Sequence, residues 1–281
     1  MTLPTAPNGA SDRAAWLRAF HGACEQARTL VCFPHAGGTA GQYFSLSAAL
    51  ASDVRVLAVQ YPGRQDRCAE PAFDDVAQLA DEIARLLAEP GPASSPVLFG
   101  HSLGALVAFE TAARLEHRYG APPAGLIVSG MQAPYRRTSS RLSGDSEDAA
   151  LEALLRLGGT DPAITGNPEL WAMILPTLRS DLRAAAAYRP GSCPALLSCP
   201  ITAWTGRDDE LDHGDLQAWA EHTTAAFCTR DFAGGHFYLD GFPPLIVDAV
   251  RTAVTPMTGC IAQARTRTDR LSRVRRAASC G

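Results

Sequence analysis

The segment that leaves this chain the fewest options is Gly100-His101-Ser102-Leu103-Gly104. It follows a short apolar run, Pro96 to Phe99, and opens an apolar helical pattern from Leu103 to Tyr119, with Gly120 as its C-terminal cap. A strand that turns at once into a helix forces the residue at the turn into a strained backbone conformation. Small residues two before and two after it keep the two arms from colliding. The serine hydroxyl then stands clear of the sheet at a helix N-terminus, where developing negative charge is favoured. The pentapeptide predicts a strand, a sharp turn with Ser102 at its apex, and a helix.

Similar short runs recur on both sides of it. Thr29–Phe33, Val54–Gln60, Leu126–Ser129, Ile201–Thr205 and Ala225–Phe232 read as further strands, each stopped by Pro or Gly or by a polar turn. Between them lie helical patterns. Phe73–Leu87 places Val76, Leu79, Ala80, Ile83, Leu86 and Leu87 on one face and ends at Pro90-Gly91. Leu216–His222 and Leu245–Val254 are shorter candidates. Buried strands alternating with amphipathic helices predict an α/β fold: a mostly parallel central sheet flanked by helices. In such sheets functional residues gather in loops at the carboxyl ends of the strands. One stretch, residues 131–190, breaks the alternation. It carries helical patterns at Ala149–Leu157 and Pro168–Ala187, and an insertion of this length is expected to form a lid. Residues 1–28 read as an N-terminal arm, 29–254 as the domain, and 255–281 as a flexible Arg-rich tail.

Composition narrows the function classes. A net charge of -4 gives no basic excess for nucleic acid. No apolar run reaches the ~20 residues of a membrane span, and the N-terminus does not read as a secretory leader. The eight cysteines are scattered without a CxxC pair, so free thiols in a reducing, cytoplasmic setting are expected. HExxH, zinc-spaced Cys/His clusters, GxGxxG and Walker loops are all absent, so neither a metal nor a nucleotide cofactor is expected.

A nucleophilic serine needs a base, the base needs an orienting acid, and in the strand–elbow–helix arrangement the chain order is Ser, acid, His. His236, in Gly234-Gly235-His236-Phe237 just after the last strand, fits the base. His35, His101, His213 and His222 fit less well; His101 lies inside the elbow and is expected to pack. The acid should follow a strand between Ser102 and His236. Gly206-Arg207-Asp208-Asp209 does so; Asp209, three residues after Gly206, is preferred and Asp208 is the alternative. The turn after Leu126–Ser129 offers no carboxylate. Two backbone N–H groups should face the developing oxyanion. Leu103, next after the serine, supplies one, and Ala36, in the loop Pro34-His35-Ala36-Gly37-Gly38, is the candidate for the other.

Taken in order, Phe33-Pro34-His35-Ala36-Gly37-Gly38, Gln60-Tyr61-Pro62-Gly63-Arg64, Gly100-His101-Ser102-Leu103-Gly104-Ala105, Leu157-Gly158-Gly159-Thr160, Leu175-Pro176-Thr177-Leu178-Arg179-Ser180-Asp181 and Gly234-Gly235-His236-Phe237 resemble the type II thioesterases of polyketide and nonribosomal peptide assembly lines. The resemblance spans about residues 29–242. It implies an α/β-hydrolase fold with a helical lid, a Ser102–His236–Asp209 triad, and oxyanion donors at Ala36 and Leu103. It also implies an editing role, the removal of stalled or aberrant acyl groups from the phosphopantetheine arm of acyl or peptidyl carrier proteins. That arm belongs to the substrate, so no cofactor is expected, and the chain is expected to act as a monomer. The family's usual Met after the nucleophile is Leu103 here, a volume-conserving exchange. Leu154, Trp171 and Met173 are candidate lid residues facing the acyl chain. Arg64, Arg136, Arg137 and the tail arginines are candidates for docking an acidic carrier. A product-releasing thioesterase or acyltransferase, a generic carboxylesterase, and a non-catalytic carrier-binding module are the competing readings.

Overall fold

The computed structural model describes residues 9–89, 95–136, 147–158, 162–190 and 196–254. In chain order the elements are α1 (Gly9–Trp16), β1 (Leu17–Arg18), β2 (Arg28–Phe33), α2 (Phe44–Leu50), β3 (Val54–Val59), α3 (Val76–Ala88), β4 (Val97–His101), α4 (Leu103–His117) and β5 (Gly125–Ser129). The insertion follows as α5 (Glu147–Arg156), α6 (Pro162–Thr165) and α7 (Pro168–Ala187). The chain then returns through β6 (Ile201–Gly206), α8 (His213–Gln217), β7 (Phe227–Phe232) and α9 (Pro244–Val254).

The strands form one seven-stranded sheet in the order β1-β3-β2-β4-β5-β6-β7. Every pair is parallel except β1 with β3. All six strands expected from the sequence are present, and β4 and β5 are buried from end to end, as central parallel strands must be. Side chains alternate between two cores. Val31 and Phe33 of β2, Leu98 of β4, and Leu126 and Val128 of β5 face α3, α4 and the insertion. Leu30 and Cys32, Val97 and Phe99, and Ile127 face α2 and α9. With period-2 alternation and helices on both faces, the central strands β2, β4 and β5 bury both of their surfaces. A fully buried Leu, Val or Phe contributes roughly 1.5–3 kcal/mol. This is the architecture implied by the α/β-hydrolase resemblance.

Two helix boundaries differ from those expected, and their caps are the reason. The helix expected from Phe73 begins at Val76 because the Asp75 carboxylate accepts hydrogen bonds from the Ala77 and Gln78 N–H groups, which fixes Asp75 as the cap. The helix expected over Leu216–His222 is α8 running into a 3-10 turn, and it starts earlier because Asp212 and Asp215 form a reciprocal capping box.

The segment read as an arm contributes an edge strand. Leu17 pairs with Val59 and Arg18 with Ala58, and Gln60 N donates to Trp16 O at 2.8 Å. Trp16 is buried against Phe73, with the Arg67 guanidinium 4.3 Å from its ring centroid. A two-residue strand carries no periodicity, so only its packing reveals it. The described cysteines Cys24, Cys32, Cys68, Cys199 and Cys228 are free thiols. Among the described residues no helix is long and apolar enough to cross a membrane. The tail, residues 255–281, and Arg137 lie outside the described residues.

The sheet order reverses between β2 and β4. The chain runs outward from β2 to β3, then returns past β2 to lay down β4 and the strands beyond it. The crevice outside the carboxyl ends of β2 and β4 is therefore the expected site position. It is flanked by Pro34–Gly38 on one side and Ser102 on the other.

Candidate active site

Ser102 joins β4 to α4 with φ 53° and ψ −121°. A non-glycine residue there costs on the order of 1–3 kcal/mol and persists only where its surroundings enforce it. They do so through the two glycines. A Cβ on Gly100 would lie 2.6 Å from Ala105 N, and one on Gly104 would lie 2.6 Å from Pro34 O and overlap Phe33 O. Strand, elbow and helix thus approach one another more closely than any side chain permits. Ser102 N donates to Ser129 O at 2.8 Å, fixing the turn to the neighbouring strand. The Ser102 Oγ is buried and has no hydrogen-bond partner among the described residues. As the first residue of α4, Leu103 carries one of the N–H groups that the helix itself cannot satisfy.

His236 arrives from the loop after β7. That loop lies against the end of β6 because Gly206 has no side chain; a Cβ there would overlap the carbonyl oxygens of Gly234 and Gly235. Arg207 N donates to Phe232 O at 2.8 Å and Asp208 N to Gly234 O at 3.0 Å. The result brings His236 Nδ1 within 2.9 Å of Asp209 Oδ2, both side chains buried. The other oxygen, Oδ1, accepts from Glu210 N at 2.7 Å. A carboxylate on Nδ1 keeps the proton there and leaves Nε2 as an acceptor. Nε2 is buried and without a hydrogen-bond partner among the described residues. Of the two adjacent aspartates, Asp209 meets His236, while Asp208 is solvent-exposed.

The imidazole of His101, the residue before Ser102, lies 5.0 Å from that of His236, centroid to centroid. His101 packs as expected from its position in the elbow, and its contacts form a buried polar chain. Its Nδ1 is 2.9 Å from Ser129 Oγ, which is 2.7 Å from Tyr238 OH. Burial, reinforced by the imidazoles of His236 and His35, pushes its pKa well below the usual histidine value, so the ring is neutral. His35 donates from Nδ1 to Ala36 O at 2.9 Å, and burial pulls its pKa down to about 4. Gly130 lies between the rings; a Cβ there would sit 2.7 Å from His101 Cε1 and 3.1 Å from His236 Cε1. The Ser129-Gly130 turn, which offers no acid, instead leaves room for two imidazoles. Among the other sequence histidines, His222 is buried against Phe109 and Trp219, away from this cluster.

Ala36 is buried in the loop after β2. The next residue, Gly37, has φ 76°, and its N–H donates to Asp181 Oδ2 of α7 at 2.7 Å. Arg64 grips the same carboxylate with two nitrogens, at 2.9 and 2.7 Å, and donates to Gly38 O at 2.9 Å. Arg64 is only 7% exposed, which corrects its reading as a surface docking residue: a guanidinium spent on a buried carboxylate and a backbone carbonyl cannot meet a partner. Arg136 is exposed. Among the proposed lid residues, Leu154 is buried in the core, Trp171 is half-buried and Met173 is 72% exposed. In the sequence, Asp181 stands out only as part of the Leu175–Asp181 motif. Its pairing with Arg64 across 117 residues leaves no local pattern.

Among the described residues no group of three or more His, Cys, Asp or Glu side chains could hold a metal ion. What the cleft offers is a hydroxyl at a helix N-terminus and an imidazole held in one tautomer by a buried carboxylate, which is the equipment for acyl transfer.

Comparison with known proteins points the same way. The family described as "Thioesterase domain" matches residues 28–252. Thioesterase PikA5 of Streptomyces venezuelae is 44% identical over 232 residues, which cover 82% of each chain. The type II thioesterase BorB from the borrelidin biosynthetic cluster superposes with a TM-score of 0.76 at 39% identity, covering 89% of this chain and 100% of that one. YbtT, a type II thioesterase from the yersiniabactin NRPS/PKS biosynthetic pathway, superposes with a TM-score of 0.73 at 30% identity, covering 84% of this chain and 96% of that one.

Proposed function

The chain belongs to the thioesterase family, and from that premise and the geometry of the cleft we propose that it hydrolyses acyl thioesters on carrier proteins, with Ser102 as nucleophile. The observation that carries this reading is the strained Ser102 elbow beside a His236–Asp209 pair at 2.9 Å. Ser102 Oγ attacks the acyl carbonyl carbon while His236 Nε2 takes the hydroxyl proton. The carbonyl oxygen becomes an oxyanion and accepts hydrogen bonds from the N–H groups of Leu103 and Ala36. Collapse breaks the C–S bond, and the departing thiolate takes the proton from His236. A water then attacks the acyl-enzyme, giving its proton to Nε2. The second collapse breaks the acyl C–O bond, returns the proton to Ser102 Oγ and releases the acid. Asp209 stays ionised throughout and stabilises the imidazolium.

The substrate brings its own phosphopantetheine, so the reaction needs no cofactor. The acyl or peptidyl carrier protein is the partner, and removal of stalled or aberrant acyl groups is the role. Relatives such as YbtT, from an NRPS/PKS pathway, support this substrate class. All five site residues come from one chain, so a monomer suffices, and the free cysteines suit a reducing cytoplasm.

The test is thiol release from an acyl-pantetheine, set against hydrolysis of the p-nitrophenyl ester of the same acid. The proposal expects thioester turnover that vanishes in Ser102→Ala. Faster turnover of the oxygen ester, with no measurable thioesterase activity, would favour a generic esterase instead.

A further inference from the structure

We propose that Asp181, clamped by Arg64, is a positioning residue for the oxyanion loop: a side chain of the insertion helix α7 sets the backbone geometry at Ala36. The inference rests on the reading of Ser102 and Ala36 given above. Both members of the pair are buried, with side-chain exposures of 7% for Arg64 and 1% for Asp181. Taking two charges out of water is costly, and such a pair often stabilises a fold no better than apolar residues of the same size. Its value has to lie in what it holds.

What it holds is the backbone adjoining Ala36. Asp181 Oδ2 accepts from the N–H of Gly37 at 2.7 Å, and Arg64 donates to the carbonyl of Gly38 at 2.9 Å. Gly37, at φ 76°, has no side chain to restrict its turning, and its N–H belongs to the same peptide plane as the Ala36 carbonyl. Fixing that plane limits the orientation of Ala36, whose own N–H is the donor that must face the oxyanion. A second contact acts on the same point. Leu178, one turn before Asp181, packs so closely on Gly37 that a Cβ there would lie 3.0 Å from its Cδ1. This part of α7 is in turn tied to the body of the domain by Thr177 Oγ1 donating to Gly63 O at 2.7 Å and Ser180 Oγ to Phe73 O at 3.2 Å. The N-terminal turns of the same helix present Leu170 and Met173 to solvent. One helix therefore has an exposed outer end and an inner end built into the catalytic loop.

The experiment measures kcat and KM for an acyl-pantetheine with wild type, Ser102→Ala, Asp181→Asn and the double variant Arg64→Met/Asp181→Leu. Asp181→Asn keeps an acceptor for Gly37 but loses the pairing with Arg64. The double variant removes both charges together, avoiding a stranded buried ion, and so stays folded. The end-point stoichiometry of Ser102 labelling by a fluorophosphonate counts competent sites in each. A misplaced oxyanion donor should lower kcat per labelled site by about 10-fold in Asp181→Asn and about 100-fold in the double variant. KM should stay within about 3-fold, and the pH profile of kcat should keep its midpoint, because neither substrate binding nor the His236–Asp209 pair is touched. A merely structural pair would lower the number of labelled sites and leave turnover per site unchanged; that result overturns the inference, as does wild-type kcat in the folded double variant. If wild type itself releases no thiol, the proposed function fails first, and this inference fails with it.

Discussion

Asp209→Asn should remove the catalytic base through a change of tautomer. The two carboxylate oxygens have different partners: Oδ1 accepts from Glu210 N at 2.7 Å and Oδ2 faces His236 Nδ1 at 2.9 Å. The backbone N–H of Glu210 is a fixed donor, so an amide in this place must turn its oxygen toward it. The NH2 then points at His236 Nδ1, which can pair with it only as an acceptor. The imidazole proton moves to Nε2, the atom that has to take the serine proton, and the base is lost while every heavy atom stays in place. The same carboxylate-to-amide change in a serine-protease triad lowers kcat about 10⁴-fold, equivalent to about 5.4 kcal/mol at 1.36 kcal/mol per decade. The assay is single-turnover thiol release from an acyl-pantetheine with enzyme in excess, beside a urea melt showing the variant folded. Asp208→Asn, on an exposed side chain, should stay within about 2-fold of wild type. A loss of less than 10-fold in a folded Asp209→Asn enzyme would refute the tautomer argument.

Three further outcomes follow from the same geometry. Gly104→Ala places a Cβ 2.6 Å from Pro34 O and against Phe33 O, so it should destabilise the domain by about 4 kcal/mol or more, read as a fall in the urea midpoint; an unchanged midpoint contradicts the elbow packing. Ser129→Ala strands His101 Nδ1 and Tyr238 OH and should cost about 1–3 kcal/mol, with less than additive loss when Tyr238→Phe is added; strict additivity would mean the two groups do not share Ser129. His101 and His35 both titrate lower in the fold than when unfolded. Between about pH 6.5 and about pH 4 the unfolded chain therefore binds protons that the native state refuses. Stability should fall as pH drops through that window, by up to about 1.4 kcal/mol per pH unit for each proton, with His35 contributing less than His101 because the residue is only half-buried. Urea midpoints from pH 7 to 4.5 should show a shallower slope in His35→Gln, and an identical slope would exclude that histidine.

The parts of this protein that could be read from residues alone are those where local chemistry repeats or is forced. β4 and β5 are continuous apolar runs because both faces are buried, and α3 shows its buried stripe at Leu79, Ile83 and Leu86 because one face of a helix must bury it. The turn at Ser102 and the loop that carries His236 were legible as local geometry because glycines at fixed offsets are needed to bring backbone to backbone. Asp209 was separable from Asp208 only in part, since both follow the same strand and the choice depends on which carboxylate the β7 loop meets. The Arg64–Asp181 clamp was illegible as a contact because its members lie on different elements with no shared period, and a buried arginine looks like a surface one until its partner is placed. Strand β1 escaped for the opposite reason: two residues at an edge are too few to show any pattern.

Removal of acyl groups from carrier proteins by Ser102 is the step on which the proposed function stands. Intact-mass spectrometry of an acylated carrier protein, incubated with wild type or with Ser102→Ala, tests it most directly. Loss of the acyl mass, with the phosphopantetheine arm left intact as a free thiol, is expected for wild type only. Equal acyl loss with both proteins, or a carrier that stays acylated with wild type across a panel of acyl groups, would contradict it.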